Sequence, residues 1–232
     1  MKILSWNIER PKIDKKLDKN QFIMDEIKKI NPDIIFLTET NAIIDFSSNY
    51  FKIQTIPLPN NYENNTYYTG ENRVTIFSKY EFIDTSFKTY DSYTSVCGEV
   101  ATPFGKLILY GSIIGSFGIV GSKNMGYFKK DLDGQQKDIE ILNKKGNLCY
   151  SGDFNMAFSS DYYKEGYPKA EVKRMNNFFK ENSLINKTEK NNDCVIHIVL
   201  NEKFLENKKD RTDRTKIEKN ISDHDFVTLE LE

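Results

Sequence analysis

The chain has 232 residues, 38% hydrophobic and 13% aromatic, which is enough apolar material for a sizeable core and too much for intrinsic disorder. Lysine and arginine total 33 against 34 aspartates and glutamates, a formal charge of -1, so a globally basic coat is excluded and any polyanion must be held by a local site. Three widely spaced cysteines, Cys97, Cys149 and Cys194, fit neither a disulfide framework nor a zinc cluster and read as reduced, buried thiols of a cytoplasmic protein.

The opening string MKILSWNIE carries one lysine and a strand pattern over residues 3–8, too short and polar for a signal sequence, and nothing later approaches a membrane span. Helical spacing follows at Leu17, Ile23, Ile27 and Ile30, and Asn31 before Pro32 is a stop signal. Residues 34–38 and 51–56 read as strands, 60–72 as a polar loop spiked with aromatics, and 73–78, 82–90, 95–101 and 106–112 as a meander of hairpins. Gln135, Ile139 and Leu142 mark a second helix, residues 148–151 a strand, and Val172, Met175, Phe179 and Leu184 a third helix. A strand over 194–201, a charge-rich stretch without periodicity over 208–219 and a final alternating strand over 226–231 complete the order. Helices each followed by a strand around a hairpin meander predict an α+β sandwich with helices outside, rather than a doubly wound sheet. With no linker, repeat or long low-complexity run, residues 1–232 read as a single domain.

Four strand ends carry polar residues that strands do not favour: Asn7 with Glu9, Glu39, Asp153 with Asn155, and Asp223 with His224. Each alone is ordinary turn chemistry. All four meet on one rim if their strands run to the same edge of a sandwich, where rigid scaffolds hold catalytic groups. His224 stands out because the chain has only two histidines.

The strings SWNIE, PDIIFLTET, VTIFSK, GDFN and SDHDFV, in this order and spacing, resemble the endonuclease/exonuclease/phosphatase superfamily, the fold of deoxyribonuclease I and exonuclease III. The resemblance runs from residue 2 to 231 and implies a four-layer α/β/β/α sandwich, two mixed, mostly antiparallel sheets face to face, with a divalent-metal phosphohydrolase site on one rim. Carried over residue by residue, it makes Glu39 the principal metal ligand, with Glu9 and Asp223 in support, and makes Asn7, Asp153, Asn155 and His224 catalytic. An oxygen-only ligand set suits Mg²⁺, with Mn²⁺ in its place, and no His/Cys cluster supports zinc. Asp153 would activate water, Asn155 would position it, and His224 would donate to the scissile phosphate.

The chain departs from that pattern. The family's Asp that orients the catalytic histidine falls on Ile196 in VIHIVLN, which implies a less well fixed His224, lower activity, or a substitute partner such as Asp225. His197, beside the missing Asp, is a candidate substrate contact or a strand histidine with a local hydrogen bond. Ser112, two residues after Tyr110, stands where abasic-site nucleases place a tyrosine near the phosphate; it is a candidate phosphate donor or a buried strand serine. Arg10 follows the first motif at once and could clamp a substrate phosphate with its fork.

Signatures of inositol polyphosphate phosphatases and of abasic-site endonucleases are missing, and the one tryptophan, Trp6, reads as structural. The leading expectation is a nuclease acting on DNA or RNA, with no membrane partner and a monomeric state. Lys123, Lys129, Lys130, Lys164, Lys169 and Lys173 would line one side, and Tyr67, Tyr68, Tyr162 and Tyr163 would stack bases. The alternatives are a phosphatase or phosphodiesterase of a phosphorylated small molecule or lipid head group, and a binding protein with a weakened site.

Overall fold

The structure is a computed structural model that describes residues 1–13, 17–63, 65–117, 125–159 and 169–232. Sheet I contains β1 (Lys2–Asn7), β2 (Ile34–Asn41), β3 (Phe51–Gln54), β6 (Glu71–Ser78), β13 (Asp210–Thr215) and β14 (Phe226–Leu231), in the order β13-β14-β1-β2-β6-β3. Sheet II contains β7 (Phe82–Asp84), β8 (Ser95–Thr102), β9 (Gly105–Ile113), β10 (Leu148–Asp153), β11 (Leu184–Asn186) and β12 (Ile196–Asn201), in the order β11-β12-β10-β9-β8-β7. A short hairpin of β4 (Asn61–Tyr62) and β5 (Asn65–Thr66) interrupts the chain before β6. Helices α1 (Leu17–Ile30), α2 (Gly126–Lys145) and α3 (Lys169–Glu181), with the single turn α4 (Glu202–Leu205), complete the elements.

Alternation along the strands sorts the core into layers. In β2, Ile34 and Phe36 join Ile3, Ile76, Leu109, Ile198 and Val227 in one apolar cluster between the sheets. Ile35 and Leu37 point the other way, onto Ile23 and Ile27 of α1. Sheet II repeats the device: Tyr110, Leu148 and Tyr150 pack outward on Leu132 and Ile139 of α2 and Met175 and Phe179 of α3. Strands buried on both faces read as near-continuous apolar runs, as IIFL does. The result is the expected α/β/β/α sandwich of two mixed sheets. β1–β2 and β9–β10 pair in parallel and their neighbours antiparallel.

The predicted first helix and last strand agree with the structure, whereas other boundaries moved for local reasons. Leu184 falls in β11, not in the third helix, which stops at Glu181. Only Phe82–Asp84 of the predicted 82–90 strand pairs, and the charge-rich stretch contains the edge strand β13. β13 reads DRTDRT, polar and exposed or partly exposed at every position, so no apolar alternation announces it. The hairpin of β4 and β5 lies inside the predicted 60–72 loop.

Two neighbouring parallel pairs place their ends together. β1–β2 brings Asn7 beside Thr38, and β9–β10 brings Ile113 beside Asp153. Gly152, φ +142, permits the second pairing: a Cβ there would lie 1.9 Å from the Ser112 carbonyl oxygen. Among the described residues, no helix is long and apolar enough to cross a membrane.

Candidate active site

Three strand ends use one local device. The Asn7 Oδ1 accepts from the Glu9 amide (2.9 Å), the Asp153 Oδ1 from the Asn155 amide (2.9 Å), and the Ser222 Oγ from the His224 amide (3.1 Å). Each is a short polar side chain bonding the backbone two residues on, the turn chemistry expected of Asn, Asp and Ser. It holds Glu9 and Asn155 in the left-handed region, φ 50 for both, with Arg10 at 52. Side chains following the strands are thereby turned off their sheets and onto the rim.

Cross-links between the sheets then join the three ends. Asn7 Nδ2 donates to Asp153 Oδ2 at 2.8 Å, both groups buried. Ser222 donates from Oγ to the Asn7 carbonyl (2.8 Å), and Trp6 from Nε1 to the His224 carbonyl (3.2 Å). Trp6 is thus structural, tilted against Phe226 and setting the backbone of the candidate catalytic histidine. The Asn155 side-chain Nδ2 donates to the Ile114 carbonyl (2.8 Å), which ties the end of β10 to that of β9.

Glu39 reaches the same place by a different route. The register of β2 on β6 runs unbroken from Ile34 to Thr38, skips Glu39, and resumes at Thr40 opposite Asn72. At the skip Glu39 adopts φ 48 and faces Arg73, whose Nη1 lies 3.6 Å from its carboxylate. Such a backbone is costly for a non-glycine residue, on the order of 1–3 kcal/mol, and is retained where the surroundings enforce it. Burial pushes the Glu39 carboxyl up; the positive charges of Arg73, His224 and Arg10 pull it down, and the Asp153 charge adds to the rise. Glu39, Asp153, His224 and Arg73 therefore share one electrostatic neighbourhood.

Other expected residues stand elsewhere. Glu9 carries its carboxylate to Lys19 Nζ (3.2 Å), and Asp223 turns its own to His224 Nε2 (3.3 Å). Among the described residues no three His, Cys, Asp or Glu side chains gather to hold a metal. The three expected carboxylates are thus not gathered in one cluster among the described residues, and a site centred on Glu39 still fits a magnesium ion, which keeps several waters and takes one or two carboxylates with substrate phosphate oxygens. Arg10 does not offer its fork: it grips buried Glu71 through Nε (2.5 Å) and Nη2 (3.1 Å). Ser112 is fully buried in β9 and cannot contact a phosphate. His197 is also corrected to a core residue. Its Nε2 meets the Met156 carbonyl (2.8 Å), Nδ1 meets the Thr188 hydroxyl (2.9 Å), and burial pushes its pKa down to about 4, so it is neutral and out of reach.

Ile196 lies in the apolar layer between the sheets, paired across the ladder with Asp153. Asp225 does not replace the missing carboxylate beside His224, because Arg214 holds it through Nε (2.7 Å) and Nη2 (2.6 Å), with the Ile217 amide at 3.0 Å. Tyr67 is buried and Tyr68 exposed. Lys129 pairs with Glu171, Lys130, Lys169 and Lys173 are exposed, and Lys123, Lys164, Tyr162 and Tyr163 lie outside the described residues. Two clefts open at site residues: one of about 410 Å³ at His224 with Lys216 and Lys219, and one of about 210 Å³ between Glu9, Arg10, Lys12, Lys19 and Tyr68.

A sequence profile of the Endonuclease/Exonuclease/phosphatase family matches residues 4–179. The chain belongs to that family. No curated protein matches it in sequence. Among solved structures it resembles the catalytic domain of APE2 from Xenopus laevis (TM-score 0.73, 14% identity, 100% of this chain and 91% of that one). An AP endonuclease from Archaeoglobus fulgidus is similar at TM-score 0.71 and 14% identity, covering 100% of this chain and 99% of that one. So is a 3'-5' exonuclease from Neisseria meningitidis, at TM-score 0.69 and 16% identity over all of both chains. Identities this low establish a shared fold. The family's motif strings cover Asn7, Glu39 and Asp153, but they gave no notice of Arg73, Glu71 or Lys19. Their roles follow from pairings across strands or between a helix and a turn, which no local pattern encodes.

Proposed function

We propose that this chain is a metal-dependent phosphodiester hydrolase acting on nucleic acid. The observation carrying the reading is the convergence of Glu39, Asn7, Asp153 and His224 from separate strand ends on one rim, with Asn7 and Asp153 hydrogen-bonded across the sheets at 2.8 Å. A hard dication bound at Glu39 would neutralise phosphate charge and polarise a nonbridging oxygen.

The chain's own groups supply the rest. Asp153 is oriented by the Asn7 amide on one oxygen and the Asn155 backbone on the other, leaving lone pairs to take a proton from an attacking water. Asn155 fixes that turn. His224, its backbone held by Ser222 and Trp6, donates to the phosphate as charge builds in the transition state. Asp223 is the carboxylate beside its ring, in the role that Ile196 cannot fill.

Two clefts at the site, both lined by lysines, favour a polymeric substrate whose flanking phosphates extend beyond the scissile one. Exposed Tyr68, with Lys12 Nζ 4.5 Å from its ring centre, suits a flexible or single strand. Three buried cysteines without a disulfide support a reducing, cytoplasmic setting, and we take the protein to act as a monomer.

The test is a panel of Mg²⁺, Mn²⁺ and Ca²⁺ against single-stranded DNA, abasic duplex, RNA and bis-p-nitrophenyl phosphate. Turnover of oligonucleotides should need metal and fall at least about a thousandfold in Glu39→Gln. Full activity in that variant would overturn the reading, and turnover of the small diester alone would move the substrate to a phosphorylated small molecule.

A further inference from the structure

Two arginines flank the Tyr67 ring, Arg10 with its guanidinium 5.1 Å from the ring centre and Arg73 at 4.7 Å. Each faces a glutamate, and the two pairs differ. Arg10 and Glu71 are locked in a bidentate fork at 2.5 and 3.1 Å, and Glu71 also accepts the Tyr68 amide. Every oxygen of that carboxylate is thus met by a donor, in the geometry that makes an arginine–carboxylate pair strong. Arg73 and Glu39 stand at 3.6 Å, beyond hydrogen-bond distance, although the Arg73 side chain is only 4% exposed. Arg73 Nε has no hydrogen-bond partner among the described residues. Phe117, 5.6 Å from the guanidinium, closes over it beside Tyr67.

A buried guanidinium that cannot lose its proton needs a counter-charge, and a loose contact with one partly exposed carboxylate is a poor one. The position explains it. Arg73 stands opposite the register skip that turns Glu39 onto the rim, on β6, with its amide held by the Thr55 hydroxyl (3.1 Å) and its side chain buried beside the Tyr67 and Phe117 rings. Its charge therefore cannot move away when something binds at Glu39. A dication there meets a fixed positive neighbour, and a phosphate there meets a fixed attractive one.

We infer that Arg73 is a built-in cation of the site, which weakens the hold of Glu39 on a dication and supplies part of the positive charge that meets the substrate phosphate. The inference rests on the phosphodiesterase reading and deepens it. Removing Arg73 deletes repulsion acting on a doubly charged ion and deletes a counter-charge acting on one carboxylate; the first is the larger electrostatic effect. The two ligands thus respond with opposite signs, which a role in packing alone would not produce.

The experiment follows Mn²⁺ binding by electron paramagnetic resonance, and inorganic phosphate binding to the Mn²⁺-loaded protein by calorimetry, in wild type, Arg73→Met, Arg73→Lys and Glu39→Gln. Arg73→Met should bind Mn²⁺ about tenfold tighter and phosphate about tenfold more weakly, with Arg73→Lys restoring most of both. Both affinities unchanged, or both weakened together, in a folded Arg73→Met protein would overturn the inference while leaving the metal site standing. Wild type that binds no Mn²⁺, or Glu39→Gln that binds it as well as wild type, would instead remove the metal reading and this inference with it.

Discussion

Asp153 and Glu39 are both strand-end carboxylates on the same rim, yet the fold treats them in opposite ways. Asp153 is buried and held by neutral donors, the Asn7 amide at 2.8 Å and the Asn155 backbone at 2.9 Å. Glu39 is a quarter exposed, twisted out of its ladder, and its carboxylate faces a guanidinium at 3.6 Å. Neutral hydrogen bonds orient a carboxylate without adding charge, which suits a base that must take one proton in one direction. Among the described residues Glu39 has no such donor, which keeps its lone pairs open to a ligand, at the expense of backbone strain.

The sharpest way to break this contrast is Asp153→Asn, which keeps the volume and removes the proton acceptor. Turnover should drop on the order of a thousandfold while circular dichroism stays native. A variant retaining a tenth of the activity would mean the base lies elsewhere. Gly152→Ala attacks the scaffold of the Asp153 side instead. The added methyl would meet the Ser112 carbonyl oxygen at 1.9 Å with φ at +142, so urea unfolding should show a loss of about 3 kcal/mol or more.

Asp131 provides the gentlest probe, because like Asp153 it is a buried carboxylate that accepts one backbone amide and one side-chain donor, but it sits on α2 outside the catalytic set. It accepts from the Gly115 amide (2.8 Å) and the Tyr90 hydroxyl (2.6 Å), yet burial outweighs both and raises its pKa from 3.8 to about 6. The folded state therefore holds this proton more tightly than the unfolded chain. The associated stability is full below about pH 4 and is lost as pH rises through about 6, by at most about 3 kcal/mol. Asp131→Asn copies the neutral form, so its stability relative to wild type should rise between pH 4.5 and 7.5 in urea titrations. A constant difference would show that the hydrogen bonds cancel the burial.

The sequence exposed the rim more readily than the environment of its residues. Asn7, Asp153 and the Ser222–His224 string were legible because each motif contains its own turn: the acceptor and the amide it bonds are two residues apart. Glu39 was legible as the polar end of IIFLTET. Arg73 was not, because its meaning depends on lying opposite residue 39 in the β2–β6 register, and a sequence does not display register. The same reason hid the true partners of Glu9, Arg10 and Asp225, each neutralised by a side chain from another element. For His197 and Ser112 the sequence left two readings open, site residue or buried strand residue, and the structure favours the second. A polar residue inside a fully buried strand looks like a site until its neighbours are known, and for His197 they are Met156 and Thr188.

The hydrogen bonds from Trp6 to His224 and from Ser222 to Asn7 join residues more than two hundred positions apart, beside the pairing of β1 with β14. Loop-closure entropy makes contacts of such separation slow to form. Until β14 docks, the chain can have Glu39 and Asp153 in place but not the imidazole. On the proposed reading, hydrolysis at the rim therefore requires β14 to have docked beside β1, and a form of the chain with β14 undocked should not turn over substrate.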